Sequence, residues 1–199
     1  MHQKRFLYTP MLLLCLILAA CGEEPSYDEE ALRLRTDYLA MQSCQGTAEI
    51  TADYGQRVYD YTVDFSWQRE GEAVITIKSP QEVAGITARL GNGESQMEFD
   101  GVALETGPLS EDGFAPGDCI PAMIEAIQTG YIAQSGEEER DGITCLRLQI
   151  RNPDNPVGTG RELSIWLDPQ SSALVAGEVA QDSFTVIHCK FTDFTIEIP

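Results

Sequence analysis

The stretch Val58-Tyr59-Asp60-Tyr61-Thr62-Val63-Asp64-Phe65-Ser66-Trp67 decides the fold class. Tyr59, Tyr61, Val63, Phe65 and Trp67 alternate with Asp60, Thr62, Asp64 and Ser66. Successive side chains on a strand point to opposite faces, so this period of two gives one apolar face and one wet face. Upstream, Gly46, Ala48, Ile50 and Ala52 alternate with Thr47, Glu49, Thr51 and Asp53, and Tyr54-Gly55-Gln56 supplies a hairpin turn between the two runs.

Downstream the same grammar continues. Arg69-Glu70-Gly71-Glu72 turns the chain, and Ala73, Ile75 and Ile77 then face away from Thr76 and Lys78. Ser79-Pro80 ends that strand, because proline has no N–H to give the ladder. Strands are expected over Val83–Leu90 and Glu94–Phe99, separated by Gly91-Asn92-Gly93. Asp100-Gly101 favours positive φ and a tight hairpin into Val102–Glu105. Short strands separated only by turns read as an antiparallel meander.

Helical spacing interrupts the strands twice. Ser26 followed by Glu29 is a capping box, and Ala31, Leu34, Tyr38 and Met41 fall on one stripe, which predicts a helix over 28–42 packed on the domain body. The second case follows a Pro-, Gly-, Ser- and Asp-rich break from Gly107 to Gly117. There Ile120, Met123, Ile124, Ile127 and Tyr131 predict one helix over about 119–130, with Pro121 near its start and Gly130 as its stop.

Strands then resume. Glu137-Glu138-Glu139-Arg140-Asp141-Gly142 reads as a charged turn with the three glutamates at a solvated hairpin tip. Leu146, Leu148 and Ile150 face inward, with Arg147, Gln149 and Arg151 outward. After a loop over Asn152–Gly160, Leu163, Ile165 and Leu167 form the next strand. Asp168-Pro169-Gln170-Ser171-Ser172 turns it into Leu174–Gln181. In the last strand the apolar parity flips between Phe191 and Phe194, which predicts a β-bulge near Thr192-Asp193. About ten strands in one sheet must curl, and a curled sheet needs its concave face covered. The two helices are the available covers. The fold class is therefore α+β, a strongly curved antiparallel sheet with an N-terminal helix and one mid-chain helix.

Ahead of this domain, Lys4 and Arg5 precede an apolar run from Phe6 to Leu18 and then Ala19-Ala20-Cys21, the layout of a secretory signal. At about 13 residues the run is too short to span a bilayer comfortably. Leu18-Ala19-Ala20-Cys21 resembles the lipobox of bacterial lipoproteins. That resemblance implies cleavage before Cys21, a diacylglyceryl group on its sulfur and an N-acyl chain on its amine. It implies no other cofactor. Residues 1–20 then form the signal peptide, 21–27 the lipidated cysteine with its polar tether Gly22-Glu23-Glu24-Pro25, and 28–199 a single domain. Two or more acyl chains anchor a protein stably, so the domain is expected at the cell membrane, on its extracytoplasmic side.

The 199-residue chain carries a formal net charge of −19, and Lys4 and Arg5 leave with the leader. Such a chain is repelled by phosphates, which argues against nucleic acid, and by anionic lipid head groups. Of six cysteines, Cys15 lies in the leader and Cys21 is the lipid site. Cys44, Cys119, Cys145 and Cys189 remain, an even number outside the cytoplasm, for which two disulfides in any of three connectivities are open. Cys44 and Cys189 share apolar parities on the first and last strands, while Cys119 and Cys145 flank the second helix; 44–189 with 119–145 is the expected pairing. With no Cys-x-x-Cys, no zinc or other metal site is read.

No nucleophile elbow, zincin motif or Walker loop occurs. His188, the one histidine after the leader, lies on the polar parity of its strand. An acidic-residue hydrolase would need two convergent carboxylates that no pattern here specifies. The apolar residues are more informative. Tyr59, Tyr61, Val63, Phe65 and Trp67, opposite Met123 and Ile127, read either as core between sheet and helix or as the wall of a pocket for an acyl chain. Trp166 lies opposite Leu163, Ile165 and Leu167, and so marks either a partner surface or a site packed beneath the N-terminal helix.

The chain resembles the lipoprotein-carrier fold of LolA, LolB and the mycobacterial lipoprotein LppX. The matching features are the N-terminal helix, the strand series from Ala48, Ile75-Thr76-Ile77-Lys78-Ser79-Pro80, the Phe99–Leu104 hairpin and Trp166-Leu167-Asp168-Pro169. The resemblance implies an unclosed half-barrel with helices in its mouth. Within the group the chain looks most like lipid-anchored germination lipoproteins of the GerS type, which implies a non-catalytic binding or accessory factor for a cell-envelope protein. The alternative it implies is a carrier or receptor for a lipid or a lipoprotein acyl chain.

Overall fold

The computed structural model describes residues 26–91, 94–107, 109 and 113–199. The segment expected to be a signal peptide, the expected lipid site Cys21 with its tether, and Asn92-Gly93 lie outside the described residues. The first helix, α1 (Tyr27–Ala40), starts at the expected capping box: the Ser26 hydroxyl accepts from Glu29 N–H at 3.3 Å, and Ser26 N–H donates to the Glu29 carboxylate at 3.0 Å. Asp28, Glu29 and Glu30 add negative charge where the helix dipole favours it. Ala31, Leu34, Tyr38 and Met41 are buried as the stripe predicts, while Leu32 and Leu39 are exposed. The helix ends two residues before its expected limit, because Met41 turns to extended backbone to enter the first strand.

Among the described residues eleven strands form one antiparallel sheet. They are β1 (Ser43–Asp53), β2 (Val58–Gln68), β3 (Ala73–Ser79), β4 (Thr87–Gly91), β5 (Glu94–Phe99) and β6 (Val102–Glu105), then β7 (Ile132–Arg140), β8 (Ile143–Arg151), β9 (Arg161–Leu167), β10 (Leu174–Gln181) and β11 (Phe184–Glu197). Their order is β6-β5-β4-β3-β2-β1-β11-β10-β9-β8-β7, so β6 and β7 are edges and the sheet is an unclosed half-barrel. The first and last strands pair at its centre. The second helix, α2 (Cys119–Thr129), carries Pro121 in its first turn, where a missing N–H costs no hydrogen bond.

The predicted bulge is present. Gln45 pairs with Thr195 but Thr47 with Thr192, so β11 holds one extra residue, and Asp193 there has φ +53°. Gly46 sits opposite it: a β-carbon on Gly46 would lie 3.1 Å from both Phe194 Cα and the Thr192 carbonyl oxygen. The bulge re-aims Phe194 so that Phe65, Phe191 and Phe194 form one ring cluster, with centroids 5.8–6.0 Å apart.

Two strand limits differ from expectation. Val83–Ile86 is a turn rather than strand, with Val83 N–H bonded to Pro80 O and Gly85 at φ +91°, and β4 begins only at Thr87. Glu137, Glu138 and Glu139 are not a hairpin tip but ladder residues of β7, paired with Leu146, Cys145 and Thr144. The turn is Asp141-Gly142 alone, both at positive φ. β7 is an edge strand, where charge costs little and discourages further pairing.

The main core lies between the concave face and the two helices. It joins Leu34, Tyr38, Met123 and Ile127 to Ile50, Val63, Leu148, Ile165 and Ile187. A second, small cluster occupies the convex face and holds Cys145, Trp166 and Val175.

Candidate functional site

Strand curl and the connection between β6 and α2 build an apolar cavity of about 240 Å³ at one end of the half-barrel. Its floor is Tyr61 and Val63 of β2, Ile75 and Ile77 of β3, Ala88 of β4 and Met97 of β5. Its cover is Leu109 with Ala115-Pro116-Gly117, the segment leading into α2. None of the lining residues is a carboxylate.

The cover is tied down locally. The Tyr54 hydroxyl, from the β1–β2 turn, donates to the Phe114 carbonyl at 2.9 Å, and Ala115 N–H donates to the Asp118 carboxylate at 3.1 Å. Burial raises the Tyr54 phenol above its ordinary range, so it stays a donor at neutral and mildly alkaline pH.

The seven apolar residues read as a pocket wall divide. Tyr61 and Val63 line the cavity. Phe65, Met123 and Ile127 are packed into closed core, and Trp67 packs partly buried against it. Tyr59 is 38% exposed, tilted against Tyr54 and stacked on Tyr61 at 6.2 and 6.4 Å. The reason is the seat of α2. Gly177 on β10 has no side chain, so Met123 drops onto the sheet and fills the space over β10, while the apolar cavity lies over β2–β5. The sequence did not point to Ile75, Ile77, Ala88, Met97 or the 115–117 cover, since only the curl brings those segments together.

The cysteines are placed differently from the expected pairing. All four described cysteines are free thiols and buried. Cys119, at the first position of α2, lies over β11, and its Sγ is 3.7 Å from that of Cys189. Cys145 faces the convex side beside Trp166, with its Sγ 3.5 Å from the Ile143 carbonyl, so it does not meet Cys119. Cys44 packs in the main core, where burial pushes its thiol up to about 12. The 44–189 and 119–145 pairing is thereby corrected.

Trp166 is neither an open partner surface nor beneath α1. It is 2% exposed. The Arg140 guanidinium lies 3.9 Å from its ring centroid and that of Arg147 5.6 Å away. Nearby on the convex face, exposed His188 is 3.4 Å from Glu178, and Lys190 pairs with Asp141 at 3.0 Å. Among the described residues no group of three or more His, Cys, Asp or Glu could hold a metal ion, and no helix is long and apolar enough to cross a membrane.

A curved, unclosed sheet with two helices on its concave side and an apolar cleft between cover and strands defines the chain as an α+β half-barrel of the type expected. Solved structures share this fold. An uncharacterized conserved protein from Thermus thermophilus matches with a TM-score of 0.51 at 9% identity, over 87% of this chain and 90% of that one. The lipoprotein LppX from Mycobacterium tuberculosis matches with a TM-score of 0.42 at 14% identity, over 85% and 95%. The structure of the CwlD amidase from Clostridioides difficile in complex with the GerS lipoprotein contains a match with a TM-score of 0.44 at 11% identity, over 86% and 96%. LolA-superfamily and lipoprotein-sorting proteins are also among these neighbours. At such identities the likeness concerns the fold. No protein-family model matches the sequence, and no curated protein does.

Proposed function

We propose that this protein is a non-catalytic binding protein of the cell envelope, lipid-anchored through Cys21, whose half-barrel receives one acyl chain. The observation that carries the reading is the apolar cavity of about 240 Å³ between β2–β5 and the 115–117 cover. Small-molecule sites typically run from about 300 to 1,000 Å³, so this one suits part of a single alkyl chain rather than a whole diacyl lipid. Its lining of aliphatic side chains, a methionine and one tyrosine offers dispersion and burial but no charge to hold a head group. The head group would therefore stay outside, at the mouth. Native mass spectrometry of the full chain, with titration by dansyl-undecanoic acid, tests the reading. Bound acyl species and saturable fluorescence support it; a chain that carries no lipid and does not bind the probe overturns it.

A second reading, an accessory factor docked to an envelope protein, is favoured by the β6 edge. Phe99, Val102 and Leu104 are 52–64% exposed there, beside a strand whose outer backbone groups have no neighbouring strand in the sheet. An extended segment of a partner could add to such an edge. Cross-linking from position 103 to one envelope protein would support this reading, and its absence with binding intact would remove it.

A further inference from the structure

The Cys119 and Cys189 thiols are 70 residues apart in sequence, both buried, and face one another at 3.7 Å. Their positions link two elements that otherwise touch only through packing. Cys119 opens α2, two residues after the Ala115-Pro116-Gly117 cover ends, and its Sγ lies 3.6 Å from the Pro116 carbonyl oxygen. Cys189 lies near the middle of the sheet, where β11 pairs with Ile50 of β1 and Gly177 of β10. The other two cysteines are out of this arrangement, one in the core near α1 and one on the convex face.

We propose that Cys119 and Cys189 are a redox latch: their disulfide fastens the cavity cover and the start of α2 to the sheet. Closing the sulfurs to the bonding distance of ~2.05 Å requires side-chain rotation and a small shift of the helix start. The step is thiol–disulfide exchange with a disulfide-bearing oxidant of the extracytoplasmic space. When the helix start lifts, the Cys119 thiolate attacks the oxidant disulfide, forming a mixed disulfide and releasing one thiol. Before the helix start reseats, the Cys189 thiolate, still open to solvent, attacks the Cys119 sulfur and expels the second thiol. Two protein thiols are oxidised, one oxidant disulfide is reduced to two thiols, and the protons pass to those thiols.

Geometry makes the latch conditional. Hydrogen-bonded to Cys119 and buried, the Cys189 thiol is held well above its ordinary range, so in the closed protein it stays a protonated, unreactive group. Oxidation then requires the cover to open first, and the bond records that opening. Once formed, the bridge opposes any further lifting of 115–119. Reduced protein exchanges what lies in the cavity through a cover held by hydrogen bonds alone, and oxidised protein keeps it.

The test uses the full chain, reduced and then incubated with oxidised glutathione, and does not depend on what the cavity holds. Peptide mapping after alkylation in denaturant is expected to find one bridge, Cys119 to Cys189, with Cys44 and Cys145 alkylated. Backbone amides over 114–120 should exchange with deuterium at least about tenfold more slowly than in reduced protein. A Cys44→Ala/Cys145→Ala variant should form the same bridge. Stable glutathione adducts on Cys119, bridges to Cys44 or Cys145, or unchanged exchange over 114–120 would overturn the latch. A chain that bound no fatty acid would leave each of these outcomes readable.

Discussion

Met123 of α2 lies where Gly177 of β10 offers no side chain: a β-carbon on Gly177 would sit 2.5 Å from the Met123 sulfur. The helix is seated on that gap. Gly177→Val should therefore lift α2 and destabilise the fold by about 1–3 kcal/mol, as overpacking of a filled core does. Met123→Ala should recover part of that loss in the double variant, giving a coupling above about 0.5 kcal/mol. Urea titrations of the four proteins give the cycle.

The proposed latch has a stability signature. Closing a loop of 70 residues removes unfolded-state entropy worth about 4 kcal/mol in the chain-entropy treatment. Oxidised protein should unfold at higher denaturant than reduced protein. Cys189→Ala should abolish the difference, whereas Cys145→Ala should keep it.

Ala88 is the small residue on the cavity floor. Ala88→Phe places a ring in the open space and should weaken binding of dansyl-undecanoic acid at least about tenfold, the loss of about 1.4 kcal/mol of burial. Stability should hold or rise, because the ring fills a void rather than displacing a neighbour. The fluorescence titration and a melting curve together separate a blocked site from a damaged fold.

On the convex face the Arg140 guanidinium covers Trp166. Arg140→Ala should admit water to the indole and remove a contact worth about 0.5–2 kcal/mol. Trp67 is the chain's other tryptophan, so the measurement belongs in a Trp67→Phe background. A red shift of the remaining emission is the expected outcome.

The Cys44 thiol, pushed up by burial to about 12, gives a pH dependence of definite sign. The unfolded chain loses this proton near pH 8.5, whereas the folded chain keeps it until about pH 12. Stability from this group is thus complete below about pH 8.5 and is lost as pH rises through the folded value, with a slope of up to about 1.4 kcal/mol per pH unit. Reduced Cys44→Ala should show a shallower alkaline loss than reduced wild type. Iodoacetamide at pH 8 should leave Cys44 of the folded protein unmodified.

Strand faces were legible because a period of two survives wherever one face is dry. Tyr59–Trp67, Leu146–Ile150 and the parity flip at Phe191–Phe194 all carried their meaning locally. The three glutamates of β7 misled because an edge strand can be polar on both sides, which a turn also is. Trp166 misled for a related reason: its cover includes the guanidinium groups of Arg140 and Arg147, which sequence reads as solvent-facing charge. The cavity was only half legible. Tyr61 and Val63 belong to the aromatic stripe, but their companions come from β3, β4, β5, Leu109 and the 115–117 cover. Cys119 meeting Cys189 depends on where α2 lands, and Gly177, a residue with no side chain to notice, decides that.

The pairing of β1 with β11 has a consequence for how the molecule is made. Residues 43–105 and 132–181 can each assemble as a hairpin series while the chain is still being synthesised, but no strand pairing joins the two until Phe184–Glu197 arrives. The last strand is the seam, and the concavity does not exist before it is sewn. Loss of even the final fifteen residues would leave two open half-sheets with bare inner edges, a species for chaperones and proteases rather than a shortened version of the protein.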